Sequence, residues 1–132
     1  MHPRERIEHF AKIVIDESIA IHRELGPGLF ESVYETILAG RLERRGLRVE
    51  RQVVVPVTFD GHLFDAAFKV DILVEGSLVL EIKAVDQGSK AHAKQLLTYL
   101  RLLRQPLGLL LNFSGETMKE GIRRMVNEYR PQ

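Results

Sequence analysis

The chain contains no cysteine, which excludes disulfides, thiolate nucleophiles and cysteine-ligated zinc or iron–sulfur centres. No apolar run approaches the roughly 18 residues that a membrane-spanning helix needs, so no membrane association is expected. Met1-His2-Pro3-Arg4-Glu5-Arg6 is not followed by an apolar stretch; a secretory signal is therefore not expected, and a cytoplasmic protein is. Charge of one sign is also missing. The 19 Lys and Arg residues almost balance the 18 Asp and Glu, for a net charge of +1, so any nucleic acid would have to meet a local patch. There is no phosphate-cradling glycine loop, no dinucleotide fingerprint and no nucleophile elbow. The five histidines show no metal-ligand spacing. His22, ahead of the Gly26-Pro27-Gly28 break, reads as a cation at a helix end.

What remains is a soluble, globular composition: 132 residues, 45% apolar and 28% charged, the size of one domain spanning 1–132. Apolar residues at helical spacing predict a helix over 4–24 and a second over 29–45, separated by Gly26-Pro27-Gly28 and stopped by Gly46. Strand signals follow over 49–59 and 63–74, joined by an Asp60-Gly61 turn, and again over 78–83. A third long helix is expected over 91–103, a fully apolar strand over 107–112, and an amphipathic helix over 114–129. The order α-α-β-β-β-α-β-α implies an α/β (α+β mixed) fold. Its mixed central sheet is flanked by helices, and a right-handed crossover makes the last strand parallel to the third.

The second hairpin carries the chemistry. With Glu75-Gly76-Ser77 as its loop, Val74 faces Leu78, Ile72 faces Leu80 and Val70 faces Ile82, which places all six on one apolar face. The opposite face pairs Leu73 with Val79 and Asp71 with Glu81, and Lys83 follows on that same face. Opposed carboxylates repel and need a cation. Lys83 can serve in part, and Mg²⁺ or Mn²⁺, which prefer oxygen ligands, would serve better. Such an ion would bind a phosphate oxygen and acidify a water, which is phosphodiester hydrolysis in outline. The alternative is a solvated face with a surface ion pair. The near-continuous apolar run around both acids weighs against that, because an unpaired buried charge is costly.

The run Asp71…Glu81-Ile82-Lys83 resembles the D…(D/E)XK signature of the PD-(D/E)XK phosphodiesterase superfamily. Gly28-Leu29-Phe30-Glu31-Ser32-Val33-Tyr34 is similar to the motif that names the GxxExxY family within it. Gln95-Leu96-Leu97-Thr98-Tyr99 resembles the QxxxY motif of its exonuclease branch, and Gly108-Leu109-Leu110-Leu111-Asn112-Phe113 is similar to its closing strand. The resemblance covers roughly residues 15 to 127 and implies a restriction-endonuclease-like αβββαβ core.

By that resemblance Asp71 and Glu81 are metal ligands, with the Ile82 carbonyl as a third, and Lys83 is the catalytic lysine. Glu31 would complete the metal shell, and Gln95 would orient Lys83 or the substrate backbone. Tyr99 would touch a phosphate or stack on a base. Glu35, one turn after Glu31, competes for its role. Tyr34 and Tyr99 also fit core aromatics with satisfied hydroxyls, and Gln95 fits a helix surface. The basic segment Arg41, Arg44, Arg45, Arg48 and Arg51 reads as a solvated helix end more than a phosphate track. The implied function is a Mg²⁺- or Mn²⁺-dependent nuclease acting on DNA more readily than RNA, aided by a homodimer or a recruiting protein partner. The alternative is a non-catalytic nucleic-acid- or protein-binding module on the same fold.

Overall fold

A computed structural model describes residues 2–86 and 89–128. Helices α1 (Pro3–Leu25) and α2 (Glu31–Arg44) precede three antiparallel strands, β1 (Val49–Phe59), β2 (His62–Val74) and β3 (Leu78–Lys83). Helix α3 (Ser89–Leu103) leads to β4 (Leu107–Asn112), and the short α4 (Met118–Gly121) leads to β5 (Ile122–Val126). The five strands form one sheet in the order β1-β2-β3-β4-β5, with β3 and β4 parallel and every other pair antiparallel. The mixed sheet and the parallel pairing of β3 with β4 therefore agree with the reading of the sequence.

The sheet has a core on each face. On one side Ile72, Val74, Leu80, Ile82 and Leu109 pack against α1 and α2. On the other, Val70, Val79 and Leu110 pack against Ala93, Leu96 and Leu100 of α3. The central strands β3 and β4 are buried along almost their whole length, which is why they read as continuous apolar runs.

Two expectations are corrected. Strand alternation placed Val70 on the face of Ile72, yet Val70 belongs to the α3 side. The same change occurs in β1, where Val49 packs with the α1–α2 core and Val53 with the α3 core. Between them Gln52 adopts the left-handed region at φ +52°, which reverses the side-chain alternation of a strand. Its neighbour in β2 turns over with it, because the rungs Arg51↔Ile72 and Val53↔Val70 on either side are both kept.

The closing helix expected over 114–129 is the second correction. Only Met118–Gly121 is helical and Ile122–Val126 is a strand; Tyr129 lies outside the described residues. Ile122 and Met125 are spaced as on a helix. In a strand that odd spacing puts one on each face, and each meets a different core: Ile122 the α1–α2 side, Met125 the α3 side. β5 also supplies backbone partners for the second edge of the buried β4, which would otherwise leave them unpaired.

Two glycines mark close approaches. A Cβ on Gly121 would lie 1.9 Å from the carbonyl oxygen of Asn112, whereas one on Gly108 would meet only the ends of Leu96 and Leu100, no nearer than 3.0 Å. Backbone cannot yield as a side chain can. Gly121→Ala is therefore expected to destabilise the protein by about 1–3 kcal/mol or more, and Gly108→Ala by less. Urea midpoints of the two variants check this; equal midpoints would contradict the close packing of α4 on β4.

Candidate active site

The β2–β3 ladder runs through Val74↔Leu78, Leu73↔Val79 and Ile72↔Leu80 and ends there. These rungs are the expected register. The next two, Asp71 opposite Glu81 and Val70 opposite Ile82, do not form. The Ile82 N–H, which a continued ladder would give to the Val70 carbonyl, donates instead to Asp71 Oδ2 at 2.9 Å. The Asp71 N–H is turned towards Glu81 Oε1 at 3.4 Å. The two acids are thus brought together as expected, but in a gap between parted strands. The Ile82 carbonyl lies on the same edge of β3 as its N–H, facing that gap.

Glu81 is 4% exposed. Burial raises its pKa from 4.5 to about 8, the charge of Asp71 and a side-chain hydrogen bond with it push the same way, and the Asp71 backbone N–H and then Lys83 oppose in part. Among the described residues neither carboxylate takes part in an ion pair. Lys83 is half-buried at the end of β3, where its carbonyl accepts from the Phe113 N–H at 2.8 Å. Tyr99 of α3 stacks on Phe68 of β2 with ring centroids 4.2 Å apart. Its hydroxyl pKa is raised by burial first, then by the charges of Glu81 and Asp71. It therefore lies within the field of the site.

The other expected residues are less closely joined. Glu31 is half-buried in the first turn of α2, and no hydrogen bond or ion pair connects it to the two acids. Gln95 is exposed on α3 and has no hydrogen bond to Lys83. Glu35, one turn beyond Glu31, is linked to the site. Its buried carboxylate accepts from Arg51 Nε and Nη2 at 3.1 and 2.9 Å and from Gln52 Nε2 at 2.6 Å, and the same Gln52 nitrogen lies 3.4 Å from Asp71 Oδ1. Sequence spacing ranked neither helical acid over the other, because both lie on one face of α2.

Two further residues were not singled out from the sequence. Asn112 Nδ2 donates to the Val85 carbonyl at 2.8 Å, while its Oδ1 accepts from the Val85 and Ser114 N–H groups. Ser114 Oγ donates to the same carbonyl at 2.7 Å. Together they hold the chain leaving Lys83. The available signal was one polar residue closing an otherwise apolar strand. Tyr34, the last residue of the GxxExxY-like motif, is a buried structural residue. Its hydroxyl donates to Gly26 O at 2.7 Å and accepts from the Leu29 N–H at 3.2 Å, and its ring stacks on Phe113. His22 is in the last turn of α1, at a helix end as expected, but buried, with Nε2 2.8 Å from the Gly115 carbonyl oxygen.

Among the described residues no group of three or more His, Cys, Asp and Glu side chains is placed to hold a metal ion alone. The two carboxylates and an adjacent backbone carbonyl do suit a hard cation that takes one or two protein carboxylates and completes its shell with water and phosphate, as Mg²⁺ does. They do not suit zinc, which wants four protein ligands or a histidine-rich set. The buried, unpaired Glu81 needs positive charge beside it to ionise, so the donor set fits a divalent ion.

The sequence matches the family described as the PD-(D/E)XK nuclease superfamily over residues 8–125. The chain belongs to this superfamily. Among solved structures it is similar to one described as the crystal structure of SSO0001, with a TM-score of 0.47, 15% identity, and coverage of 91% of this chain and 79% of that one. No curated protein matches the sequence closely enough to count as a relative. Among the described residues no helix is long and apolar enough to cross a membrane.

Two predictions follow from this geometry. Glu81 has a folded-state pKa above its ordinary value, so the folded protein holds a proton that the unfolded chain releases. Stability is then full below pH 4.5 and is lost as pH rises towards about 8. In calorimetry the metal-free protein is expected to lose Tm across that window, and Glu81→Gln to flatten the loss. A slope unchanged by Glu81→Gln would remove Glu81 as its source. Tyr34→Phe keeps the ring stack but leaves the Gly26 carbonyl and Leu29 N–H without their partner, so denaturation should show a loss of about 1–3 kcal/mol.

Proposed function

We propose that this protein is a nuclease that uses Mg²⁺ or Mn²⁺ to hydrolyse phosphodiester bonds of DNA, with RNA the less favoured substrate. The observation that carries the reading is the pair Asp71 and Glu81 in the gap where β2 and β3 part, with Lys83 two residues on. Superfamily membership supports it. Within the superfamily we assign the chain to the GxxExxY group on Gly28, Glu31 and Tyr34.

Asp71, Glu81 and the Ile82 carbonyl would hold the ion, which when bound supplies positive charge to the phosphate and acidifies water. Asp71 is fixed for this by the Ile82 N–H. Glu81 must shed the proton that its burial favours, which an adjacent cation allows. Lys83 orients the attacking water and offsets the negative charge that grows on the phosphate oxygens as the new P–O bond forms and the ester bond breaks. Tyr99, beside the two acids, is placed to contact the substrate. Glu31 would complete the metal shell through water, and Gln95 would contact the substrate backbone from α3.

The test is a hydrolysis panel of single- and double-stranded DNA and of RNA with each metal in turn. Wild type should cut DNA, and Lys83→Ala and Asp71→Ala should each lose at least about 10²-fold in rate. Absence of cutting, or cutting that both variants retain, would leave a binding module in place of the enzyme.

A further inference from the structure

Among the described residues Gln52 is the one hydrogen-bonded to both the buried acid of α2 and the acid of β2, and it is so from a strained backbone. Its Nε2 lies 2.6 Å from Glu35 Oε1 and 3.4 Å from Asp71 Oδ1. Both neighbours are carboxylate oxygens, which accept only, so the amide must present its nitrogen to them and its two N–H groups suffice for both. Glu35 is in turn held by the Arg51 fork, and Arg51 Nη2 also lies 2.8 Å from Thr36 Oγ1. The chain Arg51–Glu35–Gln52–Asp71 thus runs from α2 to the gap between β2 and β3. A non-glycine residue at φ +52° costs roughly 1–3 kcal/mol and persists only where its surroundings impose it, most often at functional sites.

We propose that Gln52 is a positioning residue. Anchored by Glu35, it donates to Asp71 Oδ1 while Ile82 donates to Oδ2, and so sets the orientation in which Asp71 presents its free lone pairs to a divalent cation. Support from the helix reaches the site through Glu35 and this amide, rather than through Glu31. The proposal rests on the metal-dependent reading above and adds to it a side chain that need not touch the ion. Partners of this kind typically change metal affinity by about 10- to 100-fold.

Two variants at the one position separate side-chain from backbone effects. Gln52→Gly removes the amide and relieves the left-handed backbone, whereas Gln52→Ala removes the amide and keeps the strain that Gln52 already carries. Mn²⁺ binding by titration calorimetry, the Tm of the metal-free protein and DNA cleavage are measured on wild type and both variants. The expected result is that both variants bind Mn²⁺ about 10- to 100-fold more weakly, that both lose Tm with the hydrogen bond to the buried Glu35 but Gln52→Gly loses less, and that cleavage by Gln52→Gly recovers when Mn²⁺ is raised. Gln52→Gly with wild-type Mn²⁺ affinity would overturn the proposal and leave Gln52 a backbone residue only. Wild type that binds Mn²⁺ but cuts nothing would sink the nuclease reading, while the Gln52→Gly comparison still decides the positioning role. Wild type that binds no Mn²⁺ would overturn both.

Discussion

The site depends on one hydrogen bond in which a side chain stands in for backbone. Where β2 should continue its ladder with β3, the Asp71 carboxylate accepts the Ile82 N–H. The substitution satisfies a donor that would otherwise be stranded. It also parts β2 from β3 near the end of a buried strand, with Glu81, Lys83 and Gln52 around the opening.

The opening is stable only because the rest of the sheet is not disturbed. β3 keeps its full parallel pairing with β4 through Lys83↔Asn112. β2 keeps its rungs with β1 on both sides of Gln52 and Asp71. A core on each face clamps the strands just short of the gap. Asn112 and Ser114 tie the exit of β3 to the end of β4. The parted segment is thus held at both ends, which is how irregular backbone survives inside a sheet.

The electrostatic consequence follows from burial. Two acids share the gap, and the one more deeply buried would rather keep its proton. Among the described residues neither carboxylate has an ion-pair partner and Lys83 offsets Glu81 only in part, whereas the similarly buried Glu35 is paired with Arg51. One buried acid is therefore neutralised within the fold and the other is not.

Residue pattern alone determined the element order as far as β4, the mixed sheet and the parallel pairing of β3 with β4. It also determined the hairpin register up to Ile72 and Leu80 and the meeting of Asp71, Glu81 and Lys83 on one stretch of β2 and β3. These depend on local periodicity, turn residues and spacing along a strand, all of which are written in neighbouring residues. Tertiary structure decided the rest. The choice of Glu35 over Glu31 as the acid linked to the site depends on where α2 crosses β1. The left-handed turn at Gln52, and with it the side of the sheet on which Val70 lies, depends on two paired strands turning over together. The strand at Ile122–Val126 depends on β4 needing a second neighbour and on each core offering a place for one apolar side chain, so a helical spacing was satisfied by a strand. In each case the deciding contact joins residues far apart in the chain, and no local pattern carries it.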